Sequence, residues 1–277
     1  MGEKKNKQRL DLLLLEKGLF KTRNRARAEI MAGNVFVNGL REDKPGTFIS
    51  PLACLELKGR ENPYVSRGGM KLKKGLEHFQ IDLRNKVVLD VGASTGGFTQ
   101  CALESGAKEI IALDVGYGQL AWELRNNHRV TVMERYNARF LKKEDLPRLP
   151  HVATVDVSFI SLKIIIPAIA RINIEEIICL VKPQFEVSPD QVGERGVVKD
   201  PNLHEHILQQ QFELAWSLSY NVQGVIFSPI KGPKGNIEYL IYLLHKRKEP
   251  EESCVIRAAT SETVIRNVVS SAWETLQ

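Results

Sequence analysis

Short apolar runs alternate with helical patterns along residues 87–245, and this alternation constrains the fold more than any other feature. The runs that predict strands are KVVLDV, EIIALDV, VTVMERY, VATVDVS, EIICLVK, NVQGVIF and NIEYLIYLL. Helices are predicted between them at 97–105, 118–126, 161–171 and 201–219. Strands that alternate with helices form a mostly parallel sheet covered on both faces. We therefore expect an α/β fold whose ligand binds beyond the carboxyl ends of the strands.

The basic residues of the chain are concentrated at its N-terminus. Residues 1–60 carry 13 Lys and Arg against 7 Asp and Glu, which accounts for the whole net charge of +6. This asymmetry favours a small polyanion-binding module attached to a larger neutral domain, although a solvated basic surface would show the same charge. The polar segment KGRENP separates the two parts. We therefore predict two domains, at 1–60 and 61–277.

The first sixty residues have a distinctive order of elements. A leucine-rich helix ends near Gly18, an arginine-rich helix begins after Thr22 and ends at Gly33, and VFVNG is a strand that enters an Asn-Gly turn. With AGNVFVNG and DKPG, this order resembles the S4 RNA-binding domain over residues 9–57. The resemblance implies that basic side chains bind RNA phosphates. The candidate RNA-binding residues are Arg9, Lys21, Arg23, Arg25, Arg27, Arg41, Lys44 and, in the larger domain, Arg67.

The turn DVGASTGGF at 90–98 follows the first strand of the larger domain. It lacks the GK[ST] of a P-loop and the GxGxxG spacing of a dinucleotide-binding turn. Its D-x-G-x-x-x-G-G order resembles the first motif of class I methyltransferases, which implies binding of S-adenosylmethionine. Asp114 ends the second strand, where a carboxylate can accept ribose hydroxyls, and Asn137 is a candidate for the adenine edge. The candidate cofactor-binding residues are Asp90, Gly92, Ser94, Thr95, Gly96, Gly97, Phe98, Asp114 and Asn137.

Four charged residues are predicted to meet at this edge of the sheet. Asp156 closes the fourth strand and Lys182 the fifth, while Glu238 lies in the last strand and Lys71 on the helix that enters the domain. The position after the fourth strand reads DVSF, not the N/D-P-P-Y/F motif of base N-methylating enzymes. No cysteine follows the fourth or fifth strand to form a covalent adduct. The sequence therefore disfavours amino-methylation and C5-methylation of bases.

As a K-D-K-E set, these four residues resemble those of the FtsJ-type RNA ribose 2′-O-methyltransferases. Over residues 9–245 the chain is similar to the TlyA family, often called hemolysin A, through the motifs YVSRGGMKL, DVGASTGGFT, LDVGYGQLAW, DVSFISL, LVKPQFE and GNIEYL. The resemblance implies a class I, Rossmann-like methyltransferase fold, with a mostly parallel seven-stranded sheet after a small α+β S4 domain. It also implies methylation of cytidine 2′-hydroxyls in the rRNA of one or both ribosomal subunits.

The proposed chemistry suits these residue types. A ribose hydroxyl is a poor nucleophile at neutral pH and needs a base and close alignment. A lysine amine can act as that base when burial or a neighbouring cation lowers its pKa. Lys182 is therefore the predicted base, with Lys71 expected nearby. Asp156 would orient it, and Lys71 and Glu238 would position the ribose.

Two other functions remain open at this point: an RNA-binding assembly factor without turnover, and the membrane lysis that the hemolysin name suggests. The intact K-D-K-E set speaks against the first. The chain has no apolar run of about 18 residues and no secretion signal, which speaks against the second. Its four cysteines are scattered without CxxC spacing, as suits a reducing cytosol. We expect a cytoplasmic protein that binds rRNA or ribosomal subunits, with no membrane and no metal as partner.

Overall fold

The computed structural model describes residues 7–20, 22–31, 33–57, 63–193, 196–246 and 256–276. The chain separates into two units, Met1–Asn62 and Pro63–Gln277. One apolar cluster forms the core of the first unit, and two clusters flank the sheet of the second.

The first unit combines two helices with short antiparallel strands. Its elements are β1 (Gln8–Arg9), α1 (Leu10–Glu16), α2 (Arg23–Met31), β2 (Val35–Val37), β3 (Leu40–Glu42), β4 (Phe48–Ile49) and β5 (Leu55–Leu57). β1 pairs with β4, and β2 lies between β3 and β5. Asn38 and Gly39 have φ of 51° and 80°, as the two-residue hairpin turn between β2 and β3 requires. The two predicted helices and the Asn-Gly hairpin are confirmed.

The second unit contains the predicted alternation of strands and helices. Its helices are α3 (Gly68–His78), α4 (Gly97–Glu104), α5 (Trp122–Arg125), α6 (Leu162–Ala170), α7 (Pro201–Ser217) and α8 (Ala258–Leu276). Its strands are β6 (Val87–Val91), β7 (Glu109–Leu113), β8 (Val130–Met133), β9 (Val152–Val155), β10 (Glu176–Val181), β11 (Tyr220–Phe227) and β12 (Tyr239–His245).

The strands of the second unit form a seven-stranded sheet in the order β8-β7-β6-β9-β10-β12-β11. β6 to β10 pair in parallel, whereas β12 runs antiparallel to both of its neighbours. The order of the strands reverses between β6 and β9, which are adjacent in the sheet but lie far apart along the chain. Such a switch point opens a crevice at the carboxyl ends of the strands.

Alternate residues of the central strands enter the two apolar clusters on opposite faces of the sheet. In β10, Ile177 and Cys179 pack into one cluster and Ile178 and Leu180 into the other. This packing explains why the strand is a continuous apolar run, because both faces of a parallel sheet are covered. The charged residue that follows, Lys182, is therefore the first position of this segment that reaches the open edge.

Two boundaries differ from the sequence predictions. Only Trp122–Arg125 of the helix predicted at 118–126 is helical, because Gly118 has a left-handed φ of 71° and Ala121 has a ψ of 143°, neither of which an α-helix can contain. Glu238 precedes β12 by one residue and does not lie in the strand. The ladder starts where Tyr239 pairs with Phe227 and Val181. Both differences leave the nearby side chains at the carboxyl edge of the sheet.

Candidate active site

The loop after β6 approaches the end of β9 too closely for a side chain. Gly92 has a φ of 85°, and a Cβ added there would lie 2.6 Å from the carbonyl oxygen of Asp156. The two segments are also joined by a hydrogen bond from Asp156 N to Val91 O, at 2.9 Å. The glycine-rich turn therefore lies at the topological switch point, where a ligand can approach backbone N–H groups.

A cavity of about 640 Å³, here called the β7-side cavity, opens beside this turn and is lined by Asp114, Tyr136 and Asn137. Asp114 is held in place by two backbone groups. Gly116 N donates to its Oδ1 and Ser94 N to its Oδ2, each at 2.7 Å. Asn137 Oδ1 accepts from Arg139 N at 3.2 Å. The carboxylate thus faces the cavity in a fixed orientation, with lone pairs left to accept further hydrogen bonds.

A second cavity of about 620 Å³, here called the β10-side cavity, adjoins the first. The residues that line both cavities are Gly92, Ser94, Asp156, Ser158 and Phe159. All four residues of the K-D-K-E set line the β10-side cavity. The predicted residues Arg67, Thr95, Gly97 and Phe98 also line this cavity. Gly96 does not line it and lies just before α4, with a left-handed φ of 98°. Apart from Asp90 and Gly96, the predicted cofactor and catalytic residues therefore line one or both of these adjoining cavities.

Lys182 and Asp156 face each other across the ends of β10 and β9. Lys182 Nζ lies 2.6 Å from Asp156 Oδ1 and donates a hydrogen bond to Ser158 Oγ at 3.0 Å. The side chains of Lys182 and Asp156 are 11% and 19% exposed. Two partners therefore fix the amine at the open end of an otherwise apolar strand.

Lys71 and Glu238 form a second ion pair in the same cavity. Lys71 Nζ lies 2.5 Å from Glu238 Oε2, and the two side chains are 8% and 1% exposed. Lys71 projects from α3, while Glu238 lies just before β12. The sequence predicts Lys71 as a neighbouring cation for Lys182, but each ammonium has a carboxylate partner of its own. The charges of the set are thus arranged as two ion pairs.

Asp90 occupies a different environment from the other predicted cofactor residues. Its side chain is fully buried, and its carboxyl oxygens accept hydrogen bonds from Thr99 Oγ1 at 2.6 Å and Thr154 Oγ1 at 3.0 Å. It is not among the residues that line either cavity. Burial raises the pKa of the Asp90 carboxyl to about 7, and the two hydroxyls offset only part of that effect. Asp90 is therefore a buried support of the glycine-rich turn and not part of the cavity wall.

This raised pKa predicts how stability varies with pH. Between about pH 4 and 7 the folded state retains a proton on Asp90 that the unfolded chain has released, so the wild type loses stability as pH rises through this window. Asp90→Asn removes the titration. The free energy of unfolding of the variant should therefore rise relative to the wild type by about 3 kcal/mol between pH 5 and 8.

Denaturant titration followed by tryptophan fluorescence measures this difference, since Trp122, Trp216 and Trp273 all lie in the second unit. Comparing variant with wild type at each pH cancels the titration of other groups. Asp82→Asn is the matched control, because the pKa of exposed Asp82 is lowered to about 2 by Arg84 and the group stays ionised above pH 5. Equal pH slopes for Asp90→Asn and wild type would contradict the assignment.

Two aromatic residues of the site were missed by the sequence analysis. Phe159 is 90% exposed and has a φ of 62°, which is unusual for a large side chain. Its ring lies 5.0 Å from that of Phe185, centroid to centroid, and both residues line the β10-side cavity. The signal for Phe159 in the sequence is the motif DVSF, which places an aromatic residue just after the fourth strand.

In the first unit, buried Asp11 organises two of the predicted RNA-binding residues. Arg9 donates to both carboxylate oxygens of Asp11, and Arg23 Nε donates to Oδ2, each at 3.0 Å. The hydrogen bond from Arg9, with that from Arg23, lowers the pKa of Asp11 despite its burial. Among the predicted RNA-binding residues of this unit, Arg23, Arg27, Arg41 and Lys44 are exposed. These residues present positive charge at the surface, as phosphate binding requires.

The other predicted RNA-binding residues differ in their environment. Arg25 pairs with Glu29 at 3.2 Å within α2. Lys21 lies outside the described residues. Arg67 belongs to the second unit, where it precedes α3, lines the β10-side cavity and donates to the carbonyl of Lys231. Arg67 is therefore the one predicted RNA-binding residue that belongs to the second unit.

The strand order, the single antiparallel strand and the glycine-rich switch point together define a class I methyltransferase fold. The FtsJ-like methyltransferase family model matches residues 64–244, and the S4 domain model matches residues 8–51. The chain belongs to the FtsJ-like methyltransferases, within the group that carries an S4 domain and includes the TlyA proteins.

Three relatives support this assignment. A Bacillus subtilis protein, YqxC, named provisionally as an rRNA methyltransferase, is 45% identical over 98% of this chain and 96% of its own. The 16S/23S rRNA (cytidine-2′-O)-methyltransferase TlyA of Mycobacterium tuberculosis is 44% identical over 85% of this chain and 89% of its own. A solved Streptococcus thermophilus structure, described provisionally as a hemolysin, is 42% identical, covers 97% of this chain and 96% of its own, and has a TM-score of 0.75.

Among the described residues there is neither a cluster that could hold a metal ion nor a helix that could span a membrane. The described residues contain no group of three or more His, Cys, Asp or Glu side chains that could hold a metal ion. His204 is buried and its pKa is lowered to about 4 by that burial; its ring nitrogens lie within hydrogen-bond distance of Tyr239 Oη and Val198 O. Across the described part of the chain, no helix combines the length and apolarity needed to cross a membrane.

Proposed function

We propose that the chain transfers a methyl group from S-adenosylmethionine to ribose 2′-hydroxyls of rRNA, on cytidines. The observation that carries this proposal is the pair of adjoining cavities. One holds an oriented Asp114 carboxylate, and the other is lined by two Lys–carboxylate pairs. The TlyA relative, whose name gives rRNA cytidine 2′-O-methylation, supports the choice of acceptor.

The β7-side cavity has the features that S-adenosylmethionine requires. Gly92 leaves its backbone open at the switch point, where a Cβ would collide with Asp156 O. Asp114, held by Ser94 N and Gly116 N, can accept the two ribose hydroxyls of the cofactor, and Asn137 can bond to the adenine edge. When bound, the cofactor supplies an electrophilic methyl group on a sulfonium.

Asp114→Asn tests this assignment. The amide would turn an NH₂ group toward Ser94 N or Gly116 N and lose an acceptor for a ribose hydroxyl. We expect the Kd for S-adenosylmethionine to rise by roughly ten- to hundredfold, as loss of hydrogen bonds to a charged group predicts. Isothermal titration calorimetry measures the change, with exposed Asp82→Asn as the control. An unchanged Kd for Asp114→Asn would exclude this residue as a ribose ligand.

The β10-side cavity can hold the acceptor ribose. A neutral Lys182 amine would take the proton of the 2′-hydroxyl as O2′ bonds to the methyl carbon and the bond from that carbon to the cofactor sulfur breaks, which would leave the cofactor as a neutral thioether. Asp156 and Ser158 hold that amine at 2.6 and 3.0 Å, so its direction is set before the acceptor binds. The Lys71–Glu238 pair lies in the same wall and can position the ribose. Alignment of this kind supplies a large part of the rate in a transfer between two bound groups.

The basic residues of the S4 unit suit recruitment of a structured RNA. Asp11 fixes the guanidinium groups of Arg9 and Arg23, and Arg27, Arg41 and Lys44 are exposed. Contacts of these groups with phosphates supply affinity without reading sequence. Selection of the nucleotide is therefore assigned to the β10-side cavity.

Incubation with methyl-labelled S-adenosylmethionine tests the function directly. The acceptors are small subunits, large subunits and intact ribosomes from cells that lack the gene. We expect label in rRNA and, after nuclease digestion, 2′-O-methylcytidine by mass spectrometry. Absence of label from all three acceptors, with cofactor binding demonstrated by calorimetry, would overturn the proposal.

A further inference from the structure

Gln184, a residue in the wall of the β10-side cavity, carries a buried side-chain oxygen without a hydrogen-bond partner. In the described part of the chain, three amide atoms are buried without a hydrogen-bond partner: Gln184 Oε1, Gln211 Oε1 and Gln223 Nε2. Of these three residues, Gln184 alone lines one of the two cavities. A buried acceptor without a partner is costly, and a ligand that donates a hydrogen bond to it would remove that cost.

We propose that Gln184 selects cytidine over uridine at the methylated nucleotide, its side-chain oxygen accepting a hydrogen bond from the exocyclic amine of the base. This inference rests on the proposed function, because it assumes that the acceptor nucleotide enters the β10-side cavity. Cytosine presents an amino donor at position 4, whereas uracil presents a carbonyl acceptor there. The Gln184 oxygen would attract the first and repel the second.

The segment that carries Gln184 is fixed on both sides. Lys182 is tied to Asp156 and Ser158, and the Phe185 ring packs on Phe159. Next along the chain, Glu186 accepts from Ser161 Oγ at 2.6 Å and Leu162 N at 2.9 Å. These contacts join the segment after β10 to the segment after β9. The backbone at Gln184 is therefore held between residues that are already anchored, which limits the positions that its side chain can take.

The aromatic pair places a base within reach of this amide. Phe159 is exposed in the wall shared by the two cavities, and a nucleobase can stack on such a ring whatever its identity. Stacking holds the base but does not distinguish cytosine from uracil. A polar group at the edge of the base must do that, and Gln184 is the amide of this cavity wall with an unpaired oxygen.

The test compares two substrates that differ only in the base at the methylated position, which is cytosine in one and uracil in the other. The methylated cytidine is first mapped with wild-type enzyme on subunits from cells that lack the gene. Subunits are then prepared with that cytidine replaced by uridine. The measured quantity is the ratio of initial methylation rates on the two substrates, which does not depend on the fraction of active enzyme. We expect the wild type to favour cytidine by roughly ten- to hundredfold.

Gln184→Met keeps the length of the side chain and removes the acceptor, so its ratio should fall to near one, mainly through a slower reaction on cytidine. Gln184→Ala should behave in the same way. Gln223→Ala, on β11, removes an equally unpaired amide outside the cavities and should leave the ratio at the wild-type value. A wild-type ratio near one, or full selectivity in both Gln184 variants, would overturn the inference alone. A wild-type enzyme that methylates no ribose would overturn the proposed function as well.

Discussion

Lys182→Ala is expected to lower the rate of methyl transfer by about 10²–10⁴-fold, the usual contribution of a positioned general base. Binding of S-adenosylmethionine should remain unchanged, because Lys182 lines the β10-side cavity and not the β7-side cavity. Single-turnover transfer to ribosomal subunits measures the chemical step, and calorimetry measures the cofactor Kd. A variant that loses both methyl transfer and cofactor binding would place Lys182 in the cofactor site.

Lys182→Arg separates proton transfer from charge. The guanidinium keeps the positive charge and can still pair with Asp156, but it cannot be deprotonated and so cannot act as a base. We therefore expect this variant to be as inactive as Lys182→Ala. Lys163→Ala, an exposed lysine of α6, is the control and should retain full activity. An active Lys182→Arg would show that the residue supplies a cation.

The alternation of strands and helices, and the common edge of the charged residues, could be predicted from local patterns. Apolar runs bounded by helical segments define the parallel strands, and residues that follow such strands share one edge. Asp156 and Lys182 follow β9 and β10, and they meet because the structure makes these two strands neighbours in the sheet. Glu238 was placed one residue too far into its strand, an error too small to move its side chain from the edge.

The pairing of Lys71 with Glu238 could not be predicted. The sequence does not give the distance between α3, which carries Lys71, and the start of β12, which follows Glu238. Asp90 illustrates another limit. Both faces of β6 are covered, so a carboxylate near the end of that strand can turn inward to Thr99 and Thr154 as well as outward to a ligand.

The orientation of Phe159 and of Gln184 depends on backbone geometry that no sequence pattern specifies. The φ of 62° at Phe159 exposes a ring that would otherwise be expected to pack in the core. Gln184 lies in a single 3-10 turn, Pro183–Phe185, whose direction is set by contacts on either side of it. The roles proposed for Phe159 and Gln184 therefore depend on three-dimensional placement more than on residue type.

Breaking the buried Lys71–Glu238 pair is expected to reduce both stability and activity. Lys71→Met leaves the Glu238 carboxylate, which is 1% exposed, without its counter-ion. Removing one partner of a buried ion pair typically costs about 3–5 kcal/mol, because the remaining charge stays desolvated. Urea titration followed by tryptophan fluorescence, which reports the second unit, should show this loss in the free energy of unfolding.

The double variant Lys71→Met/Glu238→Leu distinguishes a structural from a functional role. Replacing a whole buried ion pair by apolar residues is often neutral or stabilising, so the double variant should regain most of the stability that the single variant loses. Methyl transfer should not return, because both groups proposed to position the ribose are absent. Exposed Lys73→Met, which breaks the surface pair with Glu77, is the matched control and should change neither quantity by more than about 1 kcal/mol or a fewfold in rate. A stable double variant with wild-type activity would limit the pair to a structural role. A double variant as unstable as Lys71→Met would show that the unpaired Glu238 charge is not the main cause of the lost stability.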